Sequence, residues 1–268
     1  METIAAPLRG KCALVTGGSR GIGAAIAIKL AEQGCSKIAI TYSSNQIKAE
    51  EVLAAIAQIC PEIKTCTFSA NLADPNFGEV VIERTLSGLK TDKIDIVISN
   101  AASVDIGQMS PAASMPKPEW DAMMTQNAWS PLALARAAVT KMPPGGRIIM
   151  LSSGSSKVAF GDPTVAYAAS KAAMDSVAKN LAAIWGVQYG VTVNSVSVGA
   201  TATDAFKKGL EQWGEEFAKW SGELSLLERH GEAREVAAIV AFIASPEASW
   251  IVGNQIPANG GSLSVLQG

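Results

Sequence analysis

Short β-branched runs alternate along this chain with longer segments of helical periodicity, and that alternation limits the possible folds most. Residues Cys12–Thr16 read as an apolar strand. A helix follows over Ile22–Gln33, with Ile22, Ile26 and Leu30 at helical spacing and Gly34 as the stop. Ile38–Tyr42 is a second strand, and Asn45 opens a helix over Gln46–Ile59 that Pro61 closes. Lys64–Phe68 reads as a strand, Asp74–Leu89 as a helix, and Ile94–Ser99 as a strand apolar enough to be buried on both faces. The pattern continues with a long helix over Lys117–Lys141, a strand over Arg147–Leu151, a helix over Pro163–Trp185 and a strand over Val191–Val196. Glu232–Ala244 is a last helix and Asn254–Pro257 a last short strand. Such β-α alternation predicts a parallel sheet with helices on both faces. No linker or repeat interrupts it, so residues 1–268 are expected to form a single α/β domain.

The turn after the first strand reads Thr16-Gly17-Gly18-Ser19-Arg20-Gly21-Ile22-Gly23. Glycines between a strand and a helix let the backbone bend sharply and approach a pyrophosphate. The helix start then offers free N–H groups and a positive dipole end to that anion. The fold expected is therefore a Rossmann-type doubly wound sheet that binds a dinucleotide. The end of the second strand bears on which one. An NAD-binding unit places Asp or Glu there to hold the ribose 2′-hydroxyl. Here the stretch reads Thr41-Tyr42-Ser43-Ser44-Asn45, and no acid lies between Glu32 and Glu50. A carboxylate would repel a 2′-phosphate, whereas Arg20 with Ser43 and Ser44 would receive it, so NADP(H) is favoured over NAD(H).

Tyr167-Ala168-Ala169-Ser170-Lys171 falls within a predicted helix, where spacing i, i+4 puts phenol and ammonium on one face. A phenol titrates near ~10, and lowering it by ~3 units takes roughly 4 kcal/mol of stabilisation of the phenolate. Lys171, together with a positive nicotinamide ring, is a source of that stabilisation. With these residues the chain resembles the short-chain dehydrogenase/reductase family over nearly its whole length. The matching pieces follow in family order: the glycine loop, Ser99-Asn100-Ala101-Ala102, Asn127, Ser152-Ser153, Tyr167 with Lys171, Asn194 to Gly199, and Asn259-Gly260-Gly261. The resemblance implies that Tyr167 gives a proton to a carbonyl oxygen and that Lys171 holds the nicotinamide ribose and lowers the tyrosine pKa. It further implies that Ser153 hydrogen-bonds the substrate, and that Asn127 kinks its helix and anchors a water. Ser152 is the alternative serine. Ser153 is preferred because it stands 14 residues before Tyr167, a spacing similar to that of fungal-type naphthol and polyketide ketoreductases. At 13 residues the chain has Gly154, which has no hydroxyl.

The chain departs from the family pattern in three places. Asn-Asn-Ala-Gly is Ser-Asn-Ala-Ala here, leaving Asn100 and Ala101 beside the expected cofactor. The acid that contacts adenine aligns with Asn71, whose amide oxygen can accept instead. The usual Pro-Gly after the sixth strand is Val198-Gly199, followed by Thr201 and Thr203 placed to bond the carboxamide. Residues 203–228 correspond to the family's substrate lid. Phe206, Leu210, Trp213, Phe217 and Trp220 form an apolar stripe there at helical spacing, and Gly209, Gly214 and Gly222 would let the segment move. Ser153, Gly154, Val198, Phe206 and Trp213 are the substrate-binding candidates. The acids Glu211, Glu215, Glu216 and Glu223 read as the solvated face of the lid. His230, the sole histidine, is expected to take no part in catalysis.

Composition closes off other classes. The 268 residues are 48% hydrophobic and 17% charged, with net charge −2. Nothing in that balance draws the chain to nucleic acid or an anionic membrane. One histidine excludes a histidine-based metal site, and no metal is expected. Four cysteines without a CxxC pair read as buried thiols in a reducing compartment. The uncharged stretch from Asn180 to Thr203 contains Gly186, Gln188, Gly190 and Asn194 and is no membrane span. A cytoplasmic enzyme is expected, reducing the carbonyl of a fairly large apolar or aromatic, polyketide-type small molecule with NADPH. The alternatives are a 3-ketoacyl thioester reductase and an NADP(H)-binding sensor or scaffold without redox turnover. A homodimer or homotetramer is expected, since the family pairs its two long helices across subunits and the small-residue runs Ala133–Ala138 and Ala166–Ala173 suit close approach.

Overall fold

Alternating strands and helices build one doubly wound sheet. The computed structural model describes residues 6–104 and 109–262, apart from the side chains of residues 205 and 208–213. In chain order the strands are β1 (Cys12–Val15), β2 (Lys37–Tyr42), β3 (Lys64–Ser69), β4 (Ile96–Ser99), β5 (Arg147–Ser153) and β6 (Thr192–Val198). Two short strands, β7 (Thr201–Ala202) and β8 (Gly231–Glu232), pair with each other, and β9 (Gln255–Ala258) ends the series. The main sheet has seven parallel strands in the order β3-β2-β1-β4-β5-β6-β9. The order reverses between β1 and β4. In an open α/β sheet the crevice at that reversal, beyond the carboxyl ends of the strands, is where ligands bind.

Helices α1 (Gly21–Glu32), α2 (Gln46–Ile59) and α8 (Ala233–Ala244) cover one face. On the other lie α3 (Phe77–Leu89), α5 (Ser130–Val139) and α6 (Val165–Tyr189), while α4 (Lys117–Met124) precedes α5, and α7 (Asp204–Glu223) lies between β7 and β8. Period-2 alternation divides the core. Ile96 and Ile98 of β4 face the α1/α8 layer beside Ile26, Leu30 and Val240, and Val97 faces the α3/α6 layer beside Val81, Leu134 and Met174. Each large aliphatic buried this way contributes about 1.5–3 kcal/mol before conformational entropy is charged against it.

Several expected boundaries shift. The helix expected from Asp74 begins at Phe77, because Pro75 follows and Asp74 Oδ1 accepts from the Asn76 N–H at 2.8 Å, forming a turn. The strand expected from Ile94 begins at Ile96, since Asp95 turns its carboxylate to the Cys12 N–H at 2.9 Å. Helix α6 runs on to Tyr189 and stops at left-handed Gly190. The expected Lys117–Lys141 helix is interrupted by a π turn at Thr125–Trp129, where the Ser130 N–H reaches the Thr125 carbonyl five residues back. Pro131 explains the break, having no N–H for the carbonyl of Asn127 four residues earlier.

The small-residue run of α5 is spent inside the subunit. Ala133, Ala135 and Ala138 are fully buried where α3 crosses α5, which removes them as an intersubunit surface. Of the cysteines, Cys12 and Cys35 are buried, and burial pushes each thiol up to about 12. Cys60 and Cys66 are only partly buried, against expectation. Among the described residues no helix is long and apolar enough to cross a membrane.

Candidate active site

The glycine loop is held from both sides. Thr41, at the end of β2, accepts the Gly17 N–H on its hydroxyl at 3.1 Å and the Gly18 N–H on its carbonyl at 2.8 Å. Asn100 donates to the carbonyls of Thr16 and Gly17 at 2.9 and 3.1 Å, and Thr16 Oγ1 accepts from the N–H groups of Asn100 and Ala101 at 3.0 and 3.1 Å. Asn100 and Ala101 thus fix the loop in place. Sequence reasoning missed Thr41; its position at the strand end was the available signal. A Cβ at Gly23 would stand 2.2 Å from the Gly17 carbonyl oxygen, so no larger residue fits there. Helix α1 starts at Gly21 with no side-chain cap and no acid in its first turn, so Gly21, Ile22 and Gly23 present uncompensated N–H groups. This narrow cradle before an open positive helix end fits the pyrophosphate of a dinucleotide.

Around that cradle Ser19 is buried and Arg20 exposed. Tyr42 donates to Gln46 Oε1 at 3.2 Å, and the Ser43 carbonyl accepts from Ser69 at 2.8 Å, which leaves the exposed Ser43 and Ser44 hydroxyls outside that contact. Asn71 is exposed, and its Oδ1 already accepts the Ala73 N–H at 3.0 Å; one lone pair remains for a ligand. On the other side of the crevice the Gly199 N–H donates to the Ala258 carbonyl at 3.1 Å. Thr201 gives its proton to the Gly199 carbonyl at 2.9 Å and keeps accepting capacity, while Thr203 caps α7 by accepting the Phe206 N–H at 3.3 Å and keeps its proton.

The catalytic candidates converge at the carboxyl end of β5. Ser152 points into the protein with its hydroxyl buried and without a partner among the described residues, whereas Ser153 lines a cavity together with Tyr167. Strand alternation accounts for the difference. A 3-10 turn, Gly154–Ser156, follows, and Ser155 gives its N–H and hydroxyl to Ser153 Oγ at 3.2 and 3.0 Å. Asn127, fully buried in the π turn, clasps the backbone of Ser103 with bonds of 2.8 and 2.9 Å and reaches Ser170 Oγ at 3.3 Å. Lys171 is 2% exposed and donates to the Leu151 carbonyl at 2.7 Å. Burial drives its ammonium from 10.5 down to about 8, and Asp175 works against that shift.

The protein's own groups alone do not bring the phenol below its ordinary pKa. Burial raises the Tyr167 pKa and a hydrogen bond with Ser153 pulls it back, while the Lys171 ammonium stands 5.8 Å from the ring centre and is turned to Leu151. Desolvation of the phenolate outweighs an ammonium at that distance.

The cavity has a volume of about 610 Å³ and is bordered by Ser153, Gly154, Tyr167, Val198 and Phe206, four of them predicted substrate contacts. The fifth, Trp213, and Leu210 in the same stripe have side chains outside the described residues. Phe160, Phe217, Trp220, Leu224 and Leu227 complete an apolar roof. The stripe does not run along one straight helix. Gly214 takes φ 73 and ψ −169, a conformation essentially reserved for glycine, and folds α7 back on itself. In a straight helix Phe206 and Phe217 would lie about 16 Å apart along the axis. Their rings are 5.9 Å apart. Phe217 and Trp220 are also 5.9 Å apart, and Trp220 meets Phe160 edge-on at 5.7 Å. His230 shares a 2.9 Å hydrogen bond with Ser221 and lies 4.3 Å from the Phe206 ring, so it braces both arms of the bent helix. Glu215, Glu216 and Glu223 are exposed on the lid; Glu211 has a side chain outside the described residues.

Compared with known proteins, residues 17–262 match the family model described as Enoyl-(Acyl carrier protein) reductase. Short chain dehydrogenase asqE of Emericella nidulans is 40% identical over 261 residues, covering 96% of this chain and 95% of its own. Short chain dehydrogenase penD of Penicillium thymicola is 37% identical, over 97% of this chain and 94% of its own. Among solved structures, the angucycline C-6 ketoreductase LanV with bound NADP superimposes with TM-score 0.87 at 36% identity, covering 96% of this chain and 97% of LanV.

Proposed function

The chain belongs to the short-chain dehydrogenase/reductase family, and from that membership and the shape of its pocket we propose that it is an NADPH-dependent ketoreductase of large apolar or aromatic, polyketide-type ketones. One observation carries the proposal. Ser153 and Tyr167 stand, with Ser155, at the β5 end of a 610 Å³ cavity roofed by Phe160, Phe206, Phe217 and Trp220. A volume in the ~300–1,000 Å³ range with a predominantly apolar lining suits a multi-ring substrate. The bound NADP of LanV, with Arg20, Ser43 and Ser44 in place of an acid, supports the phosphorylated cofactor.

NADPH held by the glycine loop and Lys171 would supply a hydride for the carbonyl carbon. The chain supplies the rest. Ser153, placed by its two bonds from Ser155, orients the carbonyl oxygen toward Tyr167. Tyr167 Oη delivers the proton to that oxygen, forming the alcohol. A phenol held above its ordinary pKa carries its proton at neutral pH, the state in which it can serve as the acid. Lys171, fixed on Leu151, would hold the nicotinamide ribose with its remaining N–H groups, and a proton taken up from solvent through Lys171 restores the phenol. Asn127 ties the Ser103 backbone to Ser170 of α6. The lid residues exclude water and press the rings of the substrate.

NADPH oxidation across a panel of polycyclic ketones, short linear ketones and 3-ketoacyl thioesters tests the proposal. It expects the polycyclic compounds to be turned over with the highest kcat/KM. Preference for the thioesters would assign the 3-ketoacyl reduction instead, and binding of NADPH without turnover of any ketone would leave a cofactor-binding protein.

A further inference from the structure

A network of side chains behind the catalytic groups has no part in the steps above. Asp175 lies one helical turn beyond Lys171 on the same face of α6. Its Oδ2 accepts from Gln255 Nε2 at 2.6 Å, and the same Nε2 donates to Ser156 Oγ at 2.9 Å. Gln255 opens β9, and Ser156 ends the turn whose Ser155 holds Ser153. Asp175 Oδ1 is shut off from solvent and has no hydrogen-bond partner among the described residues. A carboxylate oxygen in that condition is costly unless a positive charge stands near it. Lys171, one turn away on the same face, makes no direct ion pair with it and acts on it through the field between them.

We infer that Asp175 is the countercharge of the catalytic Lys171, and that Gln255 clamps this carboxylate to the turn carrying Ser153, so that both are positioning residues for the reduction. The inference rests on the roles proposed above for Lys171 and Ser153. The charges facing Lys171 come from its own helix. They are Asp175 and the titratable Tyr167. β5, β6, the π turn and the 3-10 turn carry no charged side chain except Arg147 at the start of β5, which donates to the Ser245 carbonyl at 3.3–3.4 Å. The charged groups of α4 and α5 are engaged elsewhere: Lys117 with Asp121, Glu119 with Ser110, and Arg136 with Glu79. Asp175 is accordingly the carboxylate that opposes the effect of burial on Lys171, which stands at about 8.

The sign follows. Lys171 serves the reduction as an ammonium, so activity is present below its pKa and is lost as pH rises through about 8. Asp175→Asn removes the opposing charge and should move that loss to lower pH by about 1 unit. Two readouts are needed. In the protein without cofactor, the Lys171 resonance in 13C-lysine NMR, identified through Lys171→Met, should titrate about 1 unit lower in Asp175→Asn than in the wild type. The alkaline limb of kcat/KM for the best ketone should move by the same amount, with activity on the acid side preserved. Asp175→Ser repeats both measurements should the asparagine variant fail to fold. Gln255→Leu should lower kcat several-fold while KM for NADPH stays near wild type. An unmoved Lys171 titration, or a uniform loss of activity at all pH values, would overturn the countercharge. Wild-type kcat in Gln255→Leu would overturn the clamp. Undiminished turnover in Tyr167→Phe would instead overturn the proposed mechanism, while the NMR titration would still judge the pairing of Asp175 with Lys171.

Discussion

At the scale of single residues, chemistry follows from what each side chain has already spent on the protein. Arg20 stands exposed at the N-cap of α1 and makes no capping bond, which leaves its guanidinium open for the proposed 2′-phosphate contact. Arg20→Ala should weaken NADPH binding at least tenfold and leave NADH little changed, which fluorescence titration with both cofactors will read. Equal losses would remove Arg20 from the 2′-phosphate. The paired serines make a second test. Ser153→Ala should lower kcat about 10²-fold, since it deletes a donor to the reacting oxygen, whereas Ser152→Ala removes only a buried hydroxyl that has no partner among the described residues. The sequence shows both serines, and the 14-residue spacing already favours Ser153. The pKa of the phenol was beyond it, because Tyr167-x-x-x-Lys171 states that two groups share a helix face but not that the ammonium turns to the Leu151 carbonyl.

At the scale of elements, periodicity delivered nearly every strand and helix, since each has one side to bury. It misplaced ends where side chains intervene, as Asp95 does at β4 and Asp74 at α3. It also gave the lid as a single apolar stripe. Spacing cannot reveal that Gly214 reverses the chain's direction, because a glycine inside a helical pattern reads the same whether the helix bends or not. Gly214→Ala should cost about 1–3 kcal/mol of local strain and open the contact between Phe206 and Phe217. KM for polycyclic ketones should rise several-fold while NADPH affinity stays put, because the glycine loop and its Thr41 brace lie elsewhere. A parallel rise in the Kd of NADPH would mean that the lid also holds the cofactor. Gly23→Ala should do the reverse, abolishing tight cofactor binding by driving a methyl group into the Gly17 carbonyl.

At the scale of the whole molecule, the reversal of strand order between β1 and β4 puts the glycine loop, the serine turn and the Tyr167 helix around one crevice, and that convergence was legible from the βα alternation. The surface for assembly was less so. The alanines of α5 that suggested a subunit contact are packed under α3, while Val187 and Trp250 are 92% and 97% exposed. A dimer or tetramer remains the expected state, and light scattering at micromolar concentration checks it; a monomer would contradict it. The central claim is that Tyr167 passes a proton to a ketone while NADPH gives the hydride. The most direct test is single-turnover NADPH oxidation with a polycyclic aromatic ketone, comparing the wild type with Tyr167→Phe at pH 7. The account predicts a rate lower by ~10²–10⁴-fold in the variant, with Kd for NADPH unchanged. A near-wild-type rate with phenylalanine at this position would mean that another group is the acid.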